Sequence, residues 1–300
     1  MMEDLLDAVD VGFFLYFLLT LFMYSAFLGT IFRFRHKEPF NGGFFFHCLT
    51  LGVSDILMLI TVQFFLRFPA RLWLVDLCFS GNTGQYTARI GMLALHVLFC
   101  AQHLGILFVC WNRFVAVMLP FRYNQLCSAD KLRMMTVFQL IAPFLAVTPL
   151  LFSDSVSHYK LYEIGSGNTY ALYEENYGAI TPIINFSFTF IISLFYVAVG
   201  VKLWKQRNSV APSLSQAAQE EVKNRDLRLL FSSVMIFLFM ASYAVYSTIE
   251  FAFTKFNYTA YRVYPIISDL FSGFNPYLLL ITSRALRKHF RLFVMCRNDQ

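Results

Sequence analysis

The sequence predicts an all-α membrane protein, a bundle of seven transmembrane helices followed by a short amphipathic C-terminal helix. Three observations predict it. Seven uncharged or nearly uncharged runs of 19 to 24 residues span the 300-residue chain, each long enough to cross a hydrocarbon core of ~30 Å as a helix. Only Asp55 and Asp269 are formally charged within them. Basic residues gather on alternate connections, the asymmetry that orients membrane helices.

The first run, 11–32, follows the acidic lead Glu3, Asp4, Asp7 and Asp10. It is too long for the apolar region of a cleaved signal, so the first helix is expected to serve as its own insertion signal. The second run, 44–66, carries Asp55; the third, 90–112, ends in Trp111-Asn112-Arg113-Phe114, with Pro120 beyond. The fourth and fifth are 134–152 and 178–201. The longest connection, Lys202–Arg228, has 27 residues and leads into the sixth run, 229–249. The seventh, 263–283, contains Asn275-Pro276, and the amphipathic tail covers 284–295. No connection is long enough for a second domain, so 1–300 reads as one unit.

With the N-terminus outside, 18 of the 24 basic residues fall on the inner side. The net charge of +6 is then a topology signal, and nucleic acid is not an expected partner. Hydrophobic residues make up 58% of the chain and charged residues 14%, far fewer charges than the ~25% of soluble domains.

The six cysteines support no disulfide within the outer loops. Cys78 alone faces outward, and the second outer loop, 153–177, has no cysteine to pair with it. Cys48, Cys100 and Cys110 lie in helices as packing residues; Cys127 and Cys296 face the cytosol, and Cys296 is placed for lipidation. His96 and His103 share a helix face, but no further ligand group stands at metal spacing. A retinal protein would need a lysine in the seventh run, which has none. Neither a metal nor a cofactor is expected, nor an enzyme.

The polar residues inside the runs carry the functional reading, because ionisable groups within a bilayer are costly. Pro276 frees a backbone carbonyl and bends the seventh helix. Asp55, Asn275 and Gln102 are candidates for a hydrated polar core that rearranges between two helix packings; a static hydrogen-bonded knot between helices is the alternative. Arg113 stands at the cytosolic lip of the third helix, suited either to a carboxylate or to lipid phosphates. Asp226, just before the sixth run, is the best-placed carboxylate partner.

These features in this order, with Leu-x-x-x-Asp55 in the second helix, Asn112-Arg113-Phe114 closing the third and Asn275-Pro276 in the seventh, resemble rhodopsin-like G-protein-coupled receptors. Lys37-Glu-Pro-Phe-Asn-Gly-Gly-Phe-Phe-Phe46 leading into Leu51-Gly-Val-Ser-Asp55 is similar to the second-helix entry of nematode serpentine chemoreceptors, near classes gamma and V. So are Gln102-His-Leu-Gly-Ile-Leu, running on to Pro120, and the tail from Asn275 to Lys288. The resemblance implies a plasma-membrane receptor, in sensory cilia in such families, that detects a small, largely hydrophobic ligand and activates a heterotrimeric G protein. The chain departs from the rhodopsin-like pattern at Asn112, which replaces an acid, and at Leu279, which replaces a tyrosine. A small transporter or a non-signalling membrane protein is the alternative, though no internal repeat or paired broken helices support it.

The expected pocket lies between helices three, five, six and seven and is aromatic, given 36 Phe and 16 Tyr residues. His96, Tyr243, Tyr246 and Asp269 are its candidate polar fixings. Asp269 either meets a cationic ligand, holds an ion, or is neutral and hydrogen-bonded.

Overall fold

The computed structural model describes residues 2–151, 158–164, 167–173, 180–209, 231, 234–249, 252 and 258–295. Helix α1 (Met2–Phe34) is followed by α2 (Gly43–Val62), which runs on through a π turn (Gln63–Arg67) into Phe68–Ala70. After a second π turn (Val75–Phe79) comes α3 (Gly81–Met118), then the short turns Pro120–Arg122 and Tyr123–Leu126, and α4 (Ala129–Leu151). Strands β1 (His158–Ile164) and β2 (Gly167–Tyr173) precede α5 (Ile180–Ser209), α6 (Val234–Ile249), α7 (Tyr258–Thr282) and α8 (Arg284–Val294).

Among the described residues, four helical stretches combine the length and apolarity of a membrane span: Val11–Phe34, Gly43–Ala70, Gly81–Met118 and Pro182–Lys205. α4 and α7 have 23 and 25 residues, enough to cross at 1.5 Å per residue. α6 is a shorter apolar helix over its described residues. The outward faces are greasy rather than polar: Leu15, Phe22, Phe144, Phe190 and Leu194 are all more than half exposed. A face of this kind suits lipid, not water.

Several helices outrun the apolar runs that announce them. α3 has 38 residues, about 57 Å of helix, because its first turns, from Gly81 to Arg89, continue the helix in polar sequence. It is the axle of the bundle, packing on α2, α4 and α5 and, near its start, on β1. α7 packs on α1 and α2, and α8 folds back against α1. Gly105 allows a close crossing: a Cβ there would lie 2.7 Å from Gln139 Nε2 and 2.9 Å from Leu51 Cδ1. Gln139 accepts from Thr50 Oγ1 at 3.2 Å and donates to the Ala101 carbonyl at 3.2 Å, tying α2, α3 and α4 together.

The antiparallel hairpin, pairing His158 with Tyr173 through to Ile164 with Gly167, lies in the connection between α4 and α5. β2 lies against the last turns of α2, and Leu172 joins the main hydrophobic core. At the opposite end, Ser283 interrupts α7 and caps α8, accepting from the Leu286 N–H at 3.2 Å. Arg287 donates to the Leu280 carbonyl at 2.8 Å and to that of Ile281, the service a basic side chain gives to a helix C-terminus. Leu286 is fully buried, and His289 packs between the rings of Phe34 and Phe40 at 4.8 and 5.0 Å. The basic face of α8 (Arg284, Arg287, Lys288, Arg291) borders an open groove of about 460 Å³. The bundle thus has a hairpin end and a basic end.

Candidate functional site

Midway along the bundle, Asp55 on α2 is 1% exposed and collects donors from three other helices. The Tyr24 hydroxyl of α1 donates to Oδ2, as does Asn275 Nδ2 of α7 at 2.9 Å. Gln102 Nε2 of α3 reaches Oδ1 at 2.7 Å and Ser272 Oγ at 2.8 Å. The three residues expected to form a polar core do meet, and four helices share one carboxyl group. Tyr24 and Ser272 are the members that sequence reasoning missed. Asn275 precedes Pro276, so its side chain reaches Asp55 from the turn where α7 loses a backbone hydrogen bond. Tyr277 points instead to α1, its hydroxyl 3.2 Å from Thr20 Oγ1.

From this junction toward the basic end lies a cavity of about 20 Å³, bordered by Tyr24, Phe44, Cys48, Arg113 and Asn275 among others. That volume has room for one water. Arg113, half-buried at the far wall, sets its guanidinium carbon 4.9 Å from the centre of the Phe44 ring, a cation–π contact. Asn112, beside it, donates to the Tyr123 hydroxyl at 3.2 Å. The residue that replaces the usual acid therefore anchors the short helix after α3. Two residues before Tyr123, Phe121 is fully exposed. Asp226, the expected partner of Arg113, lies outside the described residues, as does Cys296.

Toward the hairpin end, Asp269 has an internal cation. Arg67 Nη1 lies 2.5 Å from its Oδ2, with Asp269 wholly buried and the Arg67 side chain 10% exposed. Arg67 stands just beyond the apolar run, where the sequence suggests a loop; α2 continues past Leu66 and turns it inward. Above the junction, Tyr243 (2% exposed) packs against Phe99, Phe271 and Tyr264, with ring centres 5.6, 5.5 and 6.2 Å away. Tyr246 meets Tyr264 at 6.1 Å. The centre of this cluster is His103, 0% exposed, between Phe99 at 4.2 Å, Phe188 at 5.4 Å and Phe271 at 5.6 Å. His96 is half-buried about two turns away, its Nδ1 2.9 Å from the Met92 carbonyl. Among the described residues no group of three His, Cys, Asp or Glu side chains could hold a metal ion.

An apolar bundle, a shared carboxyl at its waist, an arginine at one end and an aromatic cluster near the other belong to a multi-pass membrane protein of the seven-helix class. The chain belongs to the serpentine type 7TM GPCR chemoreceptor family Srv, whose family model matches residues 13–296. It is also similar to "Serpentine receptor class V-1" of Caenorhabditis elegans, 24% identical over 275 residues that cover 90% of this chain and 83% of that protein.

Proposed function

We propose that the chain is a plasma-membrane chemosensory receptor, N-terminus outside, that couples a small, largely hydrophobic ligand at the hairpin end to a heterotrimeric G protein at the basic end. The observation that carries this reading is the continuity of the polar path. The Asp55 junction touches four helices, and one cavity joins its members Tyr24 and Asn275 to Arg113. A change of helix packing at α7 must alter the donors on Asp55 and so the surroundings of Arg113. Ligand and G protein then favour the same packing, and each raises the other's affinity. Tyr243, Tyr246 and His96 line the ligand side, with Asp269 held by Arg67. The basic face of α8 suits the anionic surface of the inner leaflet.

Phe121 supports a protein partner. A wholly exposed phenylalanine has no packing role, and flanked by Arg122 it offers an apolar knob within a basic rim, the anatomy of an interface anchor. Phe121→Ala is expected to lower G-protein activation about tenfold or more while surface expression stays normal; a cell-surface count alongside a nucleotide-exchange assay checks it. Asp226→Asn is expected to raise basal signalling several-fold, since a partly wet pair with Arg113 worth at most ~1 kcal/mol biases a two-state equilibrium by that much. An unchanged baseline at normal expression would remove Asp226 from the switch.

Topology is the simplest test. A tag before Met1 should be reached by antibody on intact cells, and one after Gln300 only after permeabilisation. The reverse pattern would end the receptor reading.

A further inference from the structure

Arg67 and Asp269 meet through one bond, Nη1 to Oδ2, although guanidinium and carboxylate commonly dock as a two-bond fork. Arg67 Nη2 and Asp269 Oδ1 are buried and have no hydrogen-bond partner among the described residues. The same holds for Nε2 of Gln63, which is 4% exposed. Gln63 and Arg67 open and close the π turn of α2. In a turn whose bonds run from i to i+5, residues four apart stand nearly over one another, so both donors lie on one side of the helix. Two donors on α2 and one acceptor on α7 therefore border a single ion pair, beneath the strand β2 that lies on this part of α2. The Phe13 ring, 5.5 Å from the Arg67 guanidinium carbon, adds an apolar wall.

An unpartnered polar atom in a buried setting is costly, and three of them around one pair make a recognition set. We propose that Gln63, Arg67 and Asp269 bind a small molecule of no net charge that presents an acceptor to α2 and a donor to α7: a primary carboxamide or a zwitterionic amino acid. The ion pair is already neutral, so a lone amine or a lone carboxylate would bring an uncompensated charge into a buried place. A carbonyl or carboxylate oxygen answers Gln63 Nε2 and Arg67 Nη2; an N–H on the same ligand answers Asp269 Oδ1. An isolated amine is the wrong ligand for Asp269, because Arg67 has taken the place of the cation. The inference rests on the receptor reading for its biological meaning, but the binding itself does not depend on signalling.

The test uses the full chain in lipid nanodiscs and four probes with one branched carbon skeleton: isovaleramide, leucine, isovalerate and isoamylamine. Thermal unfolding is followed as each is titrated. Isovaleramide or leucine is expected to raise the midpoint saturably, and whichever does so tells a neutral from a zwitterionic ligand. Isovalerate and isoamylamine at equal concentration are expected to leave it unmoved. Gln63→Leu keeps the ion pair and should weaken binding about tenfold, the size of one hydrogen bond. Gln63→Met, closer in shape, should do the same. A midpoint that moves with neither amphoteric probe, that moves equally with all four, or that responds undiminished in both variants would overturn the proposal. Binding without any G-protein response would count against the receptor reading and leave this site standing.

Discussion

Arg67→Met is expected to destabilise the folded chain by ~3–5 kcal/mol, because it leaves the Asp269 carboxylate buried without its cation. Asp269 has no exposed surface, so loss of the guanidinium leaves its charge in a buried setting. Asp269→Leu should cost a similar amount, now from a stranded arginine that is 10% exposed. The informative variant combines the two. Replacing both members of a buried pair by apolar side chains is often neutral, so Arg67→Met with Asp269→Leu should recover most of the loss. Thermal unfolding of the four forms in nanodiscs, with the yield of monodisperse protein, measures the coupling. Additive losses would mean that the pair is not an energetic unit and that α2 and α7 are held at this end by packing alone.

The second large effect is expected at Asp55. Asp55→Leu removes the acceptor for Tyr24, Asn275 and Gln102 at once. Gln102 keeps Ser272, but the other two are left with an apolar neighbour, at ~1–3 kcal/mol for each donor stranded. Asp55→Asn retains one accepting oxygen and should cost roughly half as much, ~1–3 kcal/mol. Unfolding midpoints are therefore expected to fall in the order wild type, Asp55→Asn, Asp55→Leu. If Asp55→Leu were the more stable variant, the junction would be a strained assembly rather than a tie between four helices. Ligand-driven activation should be lost in Asp55→Leu even where enough folded receptor reaches the surface, since the proposed coupling of ligand to G protein runs through the donors on this carboxyl.

The bundle was legible because a bilayer leaves few alternatives: an apolar run of about 20 residues in lipid must be a helix. Asp55, Gln102 and Asn275 were legible for the same reason, as polar groups with nowhere to go but each other. Tyr24 and Ser272 were not. A tyrosine among the aromatic residues of the first run and a serine next to Gly273 look like ordinary helix residues, and only the crossing of α1 with α2 and α7 turns them toward Asp55. Arg67 was hidden by its position one residue past the apolar run, where hydropathy suggests a loop. The π turn carries the helix onward and rotates it to Asp269. The spacing of seven between His96 and His103 gives a shared face and not the depth: His103 sits among four aromatic rings. The hairpin did leave a signal: Gly165-Ser166 between two seven-residue stretches rich in tyrosine has the spacing of a two-residue β-turn.

In the proposed function, the basic end of this bundle engages a G protein in a state shared with the ligand. The most direct test is complex formation between the chain in nanodiscs and a nucleotide-free heterotrimer. A complex is predicted that dissociates when a GTP analogue is added and that Arg113→Ala or Phe121→Ala weakens about tenfold or more. Failure of the heterotrimer to bind the folded chain, or a complex indifferent to guanine nucleotide and to both substitutions, would contradict it.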